Sequence, residues 1–192
     1  MCTSFDDVVE KQIHLDRYIP DRSCSLFGVQ GLRVEGEALV GWNHEWGELS
    51  IDPFFYEIFL DTPLAVGLTF KQHPLAVCGF FAHSQDMLFI KQIQGIQRQK
   101  IQQGYVSPVT PSEGFSLLDF RKTLVGIVED IALQAGYTTV GIQCGDQNEY
   151  TKEHRGKIPL DVKRSRNIYD KTAQRLGYSL AQDGNWYKEI SK

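Results

Sequence analysis

Apolar and polar positions alternate through the middle of the chain in a pattern that predicts three strands. Residues 66–71 alternate, residues 75–82 form a nearly continuous apolar run, and residues 87–96 form a third extended segment. A continuous apolar run is typical of a strand that is covered on both faces. Polar connections at His73-Pro74 and at residues 84–86 separate the segments, so the pattern predicts an antiparallel meander.

The last third of the chain alternates helices with short strands. Residues 117–135 repeat apolar side chains at helical spacing between Ser116, the predicted N-cap, and Gly136, the predicted stop. A second helix over residues 161–176 leads into a hairpin around residues 183–184. Together with the meander, these elements predict an α+β fold with a mixed, mostly antiparallel central sheet flanked by helices.

Residues 1–60 are predicted to be an N-terminal elaboration that packs on the same domain as the core, residues 61–192. Glycines are frequent over residues 26–50, which favours short strands and turns. His44 and Glu45 lie between two tryptophans, where burial would shift their pKa values, so they are candidates for a catalytic base and acid. A surface turn between packing tryptophans is the alternative interpretation. It is favoured because a single His or Glu is a weak signal of a catalytic site.

Composition limits the classes of function. With 192 residues and 42% hydrophobic content, the chain can bury one substantial core. Its net charge of −4 opposes a general nucleic-acid-binding surface, so no nucleic acid partner is expected. The 4 cysteines are widely spaced without a CxxC pair, which indicates reduced thiols and no metal site. No apolar run approaches the ~18 residues of a membrane span, so we expect a cytoplasmic protein with no membrane partner.

A segment without carboxylates lies between the third strand and the first helix. No Asp or Glu occurs over residues 87–112, whereas Lys91 and Arg98 fall inside this range and Arg121 and Lys122 follow closely. Helix N-termini and nearby cations attract anions. This local excess of positive charge therefore favours an anionic ligand, such as a phosphate group, beside this helix. A solvated loop that is basic by chance is the alternative.

Two polar side chains follow the short apolar strand over residues 140–144. Asp146 and Asn148 come directly after it, at the edge where open sheets bind ligands, and they are candidates for contacts to a substrate. The strongly charged residues 151–157 come next, and an exposed loop is the alternative interpretation of this region.

The order of these elements resembles the GCN5-related N-acetyltransferase (GNAT) superfamily over about residues 60–190. A strand similar to the family's "ivGf" strand, a long central strand, an amphipathic helix and a closing segment similar to "lYeklGF" occur in the family's order. The matching residues are Val77-Cys78-Gly79-Phe80, residues 87–96, residues 117–135, Ile168-Tyr169 through Leu176-Gly177-Tyr178 and the terminal strand at residues 186–190.

The resemblance implies an acyl-CoA-dependent N-acyltransferase in which backbone amides of a Q/R-x-x-G-x-G/A loop bind the pyrophosphate of coenzyme A. Residues 92–97 supply the first half of that loop but end in Gln, and a long insertion precedes Arg121. The cofactor-binding residues implied in this way, together with the cations at the helix, are Ile93, Gln94, Gly95, Ile96, Gln97, Arg98, Arg121 and Lys122.

The resemblance also implies a tyrosine that protonates the departing thiolate. In the family it lies four residues before the closing glycine, a position that is Ala173 in this chain. Tyr169, one helical turn earlier on a similar face, is the nearest phenol and is the predicted acid. Because a phenol titrates at about pH 10, it is protonated at neutral pH.

The implied function is direct acetyl transfer from acetyl-CoA, or from another acyl-CoA as co-substrate, to a small-molecule or peptide amine without a metal. The alternative is a catalytically inactive GNAT-like ligand-binding or protein-interaction module with a degenerate CoA site, which the interrupted loop motif and the displaced tyrosine favour. Binding of RNA or a nucleotide through the basic segment is a third hypothesis, which the negative net charge opposes. The sequence does not name the oligomeric state, and a homodimer is one option.

Overall fold

The computed structural model describes residues 24–30, 62–70, 73–95, 119–148 and 159–191 of the 192-residue chain. Within these residues the chain forms strands, α-helices and one short 3-10 turn. In chain order they are β1 (Cys24–Gln30), β2 (Leu64–Phe70), β3 (His73–Ala82), β4 (Met87–Gly95), α1 (Phe120–Ala135), β5 (Thr139–Ile142), the 3-10 turn (Gly145–Gln147), α2 (Pro159–Ile168), α3 (Asp170–Arg175), β6 (Ser179–Leu180) and β7 (Trp186–Glu189). None of the helices among them is both long and apolar enough to cross a membrane.

All of these strands join one 7-stranded sheet in the order β1-β2-β3-β4-β5-β7-β6. Strands β1 to β4 form an antiparallel meander, β4 and β5 pair in parallel, and β7 pairs antiparallel with both β5 and β6. Parallel neighbours need a crossover, which α1 supplies. The predicted α+β fold, a mixed and mostly antiparallel sheet flanked by helices, is confirmed, and its elements follow the order that the GNAT resemblance implies.

The sheet extends into the predicted N-terminal elaboration. Strand β1 pairs with β2 along its whole length, from the Cys24–Phe70 pair to the Gln30–Leu64 pair. The segment Cys24–Gln30 is therefore part of the same sheet, and it is the outermost strand among the described residues. The rest of residues 1–60 lies outside the described residues, so the division at residue 60 stays a prediction.

The core lies between α1 and one face of the sheet. Leu88 and Ile90 of β4 are 1% and 0% exposed, and they share a buried cluster with Ile127 and Ile131 of α1, which are also 0% exposed. Burial of a side chain of this size stabilises a fold by about 1.5–3 kcal/mol. This apolar contact therefore fixes α1 on the sheet and, with it, the parallel pairing of β4 and β5.

The boundaries of α1 differ from the prediction at one end and agree at the other. The helix begins at Phe120 and its N-cap is Asp119, whose carboxylate accepts a hydrogen bond from the Lys122 N–H at 3.5 Å. The predicted N-cap, Ser116, is wrong for this helix. Gly136 ends the helix in the left-handed region at φ 87°, as predicted.

Two further segments differ from the sequence prediction. The single helix predicted over residues 161–176 is two helices, α2 and α3, which meet at Tyr169. Hydrogen bonds from Tyr169 N to Ser165 O at 2.8 Å and from Ala173 N to Tyr169 O at 2.9 Å keep them nearly continuous. The predicted turn at His73-Pro74 lies inside β3, where both residues pair with β2.

A polar cluster ties α1 to the last strands. Glu129 of α1 accepts hydrogen bonds from the Tyr178 hydroxyl at 2.8 Å and from Lys188 Nζ at 3.0 and 2.9 Å. Burial raises the pKa of the Tyr178 phenol far above its usual range, and the charge of Glu129 adds to the rise. Since Lys188 faces α1, its neighbour Tyr187 lies on the other face of the sheet, where its ring contacts Phe89 at 6.3 Å between centroids.

The Tyr178 phenol should make stability depend on alkaline pH. Because its pKa is raised in the folded state, its stabilising contribution is complete below the unfolded pKa of about 10 and is lost as pH rises above that value. We expect Tyr178→Phe to lower the free energy of unfolding at pH 8 by about 1.5–3 kcal/mol, because the lost hydrogen bond is to a carboxylate. Above pH 10 the wild type should approach the variant by about 1.4 kcal/mol per pH unit, measured by urea unfolding. Parallel pH profiles would contradict this assignment.

Candidate functional site

The pairing of β4 with β5 stops halfway along β4. Strand β5 pairs with β4 from Met87–Thr139 to Ile90–Ile142, and a last hydrogen bond joins Gln143 N to Ile90 O at 2.9 Å. Strand β4 continues to Gly95, whereas β5 ends. We call the region between residues 91–95 of β4 and the turn after β5 the β4–β5 gap.

A β-bulge in β4 coincides with this point. Gly79 of β3 is opposite Gln92 whereas the next residue, Phe80, is opposite Ile90, so Lys91 is an extra residue in β4. A bulge bends the strand, increases its local twist and changes which backbone groups point sideways. After the bulge, the Ile93 N–H points into the β4–β5 gap instead of toward β3.

The phenol of Tyr169 lies in the β4–β5 gap. Its oxygen accepts a hydrogen bond from Ile93 N at 3.2 Å and another from Asn148 Nδ2 at 3.2 Å. Tyr169 is 5% exposed, and its ring belongs to the buried cluster under α1. Three residues that the sequence singled out separately, as acid, cofactor contact and substrate contact, therefore meet at one atom.

The turn that carries Asn148 is held from two sides. Asp170 Oδ1 accepts hydrogen bonds from Gly145 N at 2.9 Å and from Trp186 Nε1 at 3.0 Å. Asn185 Oδ1 accepts from Cys144 N at 3.1 Å. Because Asp170 directly follows Tyr169, one dipeptide fixes both the phenol and the turn opposite it.

Gly145 lets α2 approach the turn closely. A Cβ at this position would lie 2.7 Å from the backbone nitrogen of Arg166 and 2.8 Å from the carbonyl carbon of Ser165. Such a distance is shorter than real contacts allow, so the two backbones can only pack this way around a glycine. The neighbouring Asp146 adds a two-pronged ion pair, with Arg166 Nε and Nη2 at 2.8 and 2.7 Å from its carboxylate oxygens.

The two predicted substrate contacts, Asp146 and Asn148, have different hydrogen-bond partners in the structure. Asn148 contacts the phenol, whereas the carboxylate of Asp146 is engaged by Arg166 on the α2 side of the turn. The pKa of Arg166 is raised by its hydrogen bond to Asp146. Contact of either residue with a substrate stays a prediction.

The end of β4 carries a pair of amide side chains, of which the sequence singled out Gln94 but not Gln92 as a site residue. Gln92 is 5% exposed and donates through Nε2 to Gln94 Oε1 at 2.6 Å. The predicted cofactor contacts Gln94 and Gly95 are half-buried at the same strand end. The signal for Gln92 in the sequence was its place at the start of residues 92–97, which supply the first half of the Q/R-x-x-G-x-G/A loop. Burial of its amide requires a hydrogen-bond partner, which Gln94 provides.

A buried acceptor lies at the other side of the β4–β5 gap. Gln143, the residue after β5, is 7% exposed and donates through Nε2 to Gln147 O at 2.8 Å. Its Oε1 is buried and has no hydrogen-bond partner in the part of the chain that the structure describes. A carbonyl such as Gln147 O only accepts, so the orientation of the Gln143 amide is fixed and its oxygen is the atom left over.

The two cations predicted at the start of α1 occupy different environments. Arg121 is half-buried with its guanidinium carbon 5.3 Å from the centroid of the Phe120 ring, and its buried Nε has no partner within the described ranges. Lys122 is exposed. Both lie in the first turn of the helix, where positive charge and backbone N–H groups favour an anion.

Neither described thiol is suited to be a nucleophile. Burial raises the pKa of Cys78, and burial raises the pKa of Cys144 with an added contribution from Asp170. A raised pKa keeps a thiol protonated at neutral pH, and the thiolate is the reactive form. The remaining predicted site residues, His44, Glu45, Ile96, Gln97 and Arg98, lie outside the described residues.

The chain is similar to solved structures of two acetyltransferases. No protein-family model and no curated protein matches the chain. The structure is similar to that of aminoglycoside 6′-acetyltransferase type Ii, at 10% identity and a TM-score of 0.39 over 67% of this chain and 70% of that one. It is also similar to aminoglycoside 6′-N-acetyltransferase from Enterococcus faecium, at 12% identity and a TM-score of 0.37 over 67% of this chain and 74% of that one.

Both of those proteins are acetyltransferases. At such identities and TM-scores, neither similarity transfers an activity, a substrate or a site residue to this chain. The GNAT resemblance stands on the order of strands and helices and on the position of β4, α1 and β5 in this chain.

The close packing at Gly145 predicts a size-dependent loss of stability. Gly145→Ala should lower the free energy of unfolding by about 1–3 kcal/mol, and Gly145→Leu by clearly more, because the added atoms meet the α2 backbone. Gly177 is the matched control, since its φ is 80° and nothing lies within 4 Å of its would-be Cβ. There, Ala and Leu should each cost about 1–2 kcal/mol. Equal costs of Ala and Leu at Gly145 would contradict the contact.

Proposed function

We propose that the protein is an acyl-CoA-dependent N-acyltransferase that moves an acetyl group directly from acetyl-CoA to an amine. The observation that carries this proposal is the Tyr169 phenol in the β4–β5 gap, bonded to a backbone N–H of β4 beyond the bulge. Beyond the last pair with β5, the edge of β4 is where an extended ligand would find backbone groups, and the phenol offers a proton at the same place.

The transfer needs few groups on the protein. The amine nitrogen attacks the thioester carbonyl carbon, the carbon–sulfur bond breaks, and the thiolate takes the proton of the Tyr169 hydroxyl. The proton that the attacking amine releases passes to a base, for which His44 and Glu45 are the sequence candidates. Raised pKa values oppose a covalent intermediate on either of the two described thiols, Cys78 and Cys144.

Two features support binding of the acyl donor, acetyl-CoA, and of the acceptor amine near the Tyr169 phenol. The unpartnered Oε1 of Gln143 suits an N–H donor, which both an amine and the amides of coenzyme A carry. Arg121 and Lys122 at the start of α1 suit the phosphates of coenzyme A, together with Ile93 to Arg98 as implied by the GNAT resemblance. Other acyl donors and peptide amines fit the same chemistry.

Removal of the positive charges of Arg121 and Lys122 should weaken the binding of acetyl-CoA specifically. We expect Arg121→Gln combined with Lys122→Gln to raise the Kd for acetyl-CoA by about tenfold or more in calorimetric titrations, because phosphate contacts near a helix N-terminus are charge-assisted. The matched control is Lys171→Gln with Arg175→Gln, two exposed cations of α3. Equal weakening by both pairs would mean that only the overall charge of the protein matters.

Loss of the Tyr169 hydroxyl tests the proposed reaction. Wild-type protein should release coenzyme A thiol from acetyl-CoA in an amine-dependent manner when a panel of amines is tested with a thiol reagent. Tyr169→Phe should lower kcat by about 100-fold with little change in the KM for acetyl-CoA, since it removes the acid and not the donor contacts.

Tyr187→Phe is the control, because that phenol lies on the other face of the sheet and donates to Asp183. It should keep the wild-type rate. Absence of amine-dependent thiol release in the wild type would reject the enzymatic proposal. If acetyl-CoA still raised the melting temperature in that case, the alternative of a ligand-binding module would replace it.

A further inference from the structure

The hydrogen bonds at the Tyr169 phenol restrict what its proton can do. A phenol oxygen can accept hydrogen bonds and can donate one proton. Ile93 N–H is a backbone donor and cannot accept, and Asn148 presents its NH₂ group to the same oxygen. With two donors on the oxygen, the proton of Tyr169 can be given only to a third group.

Both partners of the phenol are held by rigid elements. Ile93 lies in the paired part of β4, opposite Cys78 of β3. Asn148 follows the 3-10 turn, whose Gly145 N–H is bonded to Asp170 at 2.9 Å. Preorganised donors lose little in reorientation when charge develops on the atom that they face.

We infer that Asn148 is a positioning residue, which donates to the Tyr169 oxygen so that the phenol proton is directed to a third group. This inference rests on the proposed function, under which the third group is the departing thiolate of coenzyme A. When the proton passes to sulfur, the resulting phenolate keeps both donors, and these stabilise its charge until solvent returns a proton. This role for Asn148 differs from the contact with the substrate that the sequence suggested, which stays a prediction.

Two carboxylates beside this cluster, within the part of the chain that the structure describes, are already engaged. Asp146 is paired with Arg166, and Asp170 accepts from Gly145 N and Trp186 Nε1. The amides of Gln92 and Gln94 on β4 are neutral. Neutral donors therefore contact the phenol oxygen from both sides.

An isosteric exchange of donor for acceptor tests the inference. Asn148→Asp replaces the NH₂ group by an oxygen that accepts the phenol proton and withholds it from the thiolate. We expect kcat to fall by about tenfold in Asn148→Ala and by clearly more in Asn148→Asp, with an unchanged KM for acetyl-CoA. Gln174→Glu, an exposed site on α3, carries the same charge change and should keep the wild-type kcat. If Asn148→Asp retained wild-type kcat, Asn148 would be an acceptor and the inference would be wrong.

A second measurement does not depend on acetyl transfer. In protein labelled at the tyrosine Cζ carbon, NMR titration follows the ionisation of Tyr169 directly, with Tyr169→Phe identifying its signal. The pKa of this phenol should rise by about one unit in Asn148→Ala, because a donor to the phenolate is lost, and further in Asn148→Asp. This order supports the inference even if the wild type proves to have no transferase activity. An unchanged or lower pKa in both variants would overturn it.

Discussion

The extra residue in β4 is the constraint on which the site depends. Without the bulge at Lys91, Ile93 would direct its N–H toward β3 and complete the antiparallel ladder. With the bulge, the backbone N–H and C=O groups of β4 reverse their direction at the level where β5 ends. The Ile93 N–H therefore points into the β4–β5 gap. The buried phenol of Tyr169 satisfies that donor, which links the shape of the sheet to the position of the proposed acid.

The surrounding bonds show that the phenol is held from both directions. Asp170 anchors the turn through Gly145 and the last strand through Trp186, while its neighbour Tyr169 reaches β4. Each of these hydrogen bonds contributes only about 0.5–3 kcal/mol, and the larger values belong to bonds with a charged group. Their value lies in geometry, because together they place one hydroxyl between a strand and a turn that are far apart in the sequence. Rigid support of this kind is what proton transfer to a departing group requires.

The sequence predicted the helices and strands better than the contacts between them at the candidate site. The apolar run at residues 75–82 and the helical spacing ending at Gly136 identified β3 and α1, because burial imposes those periods locally. The bulge at Lys91 and the break between α2 and α3 carry no such period, since both depend on partners elsewhere in the chain. Tyr169, Asn148 and Ile93 were each candidates, but only the register of the sheet brings them together. Asp170 was missed because its partners are a backbone N–H and an indole.

The most direct test of the account is NMR of the isotope-labelled protein during titration with acetyl-CoA. Under the proposed function the thioester binds in the β4–β5 gap, so the Ile93 backbone amide and the Asn148 side-chain NH₂ should shift together and saturate at the same acetyl-CoA concentration. The amide of Glu189 in β7, which pairs with Thr139 well away from the gap, should not shift. Saturation of binding with no change at Ile93 and Asn148 would contradict the account.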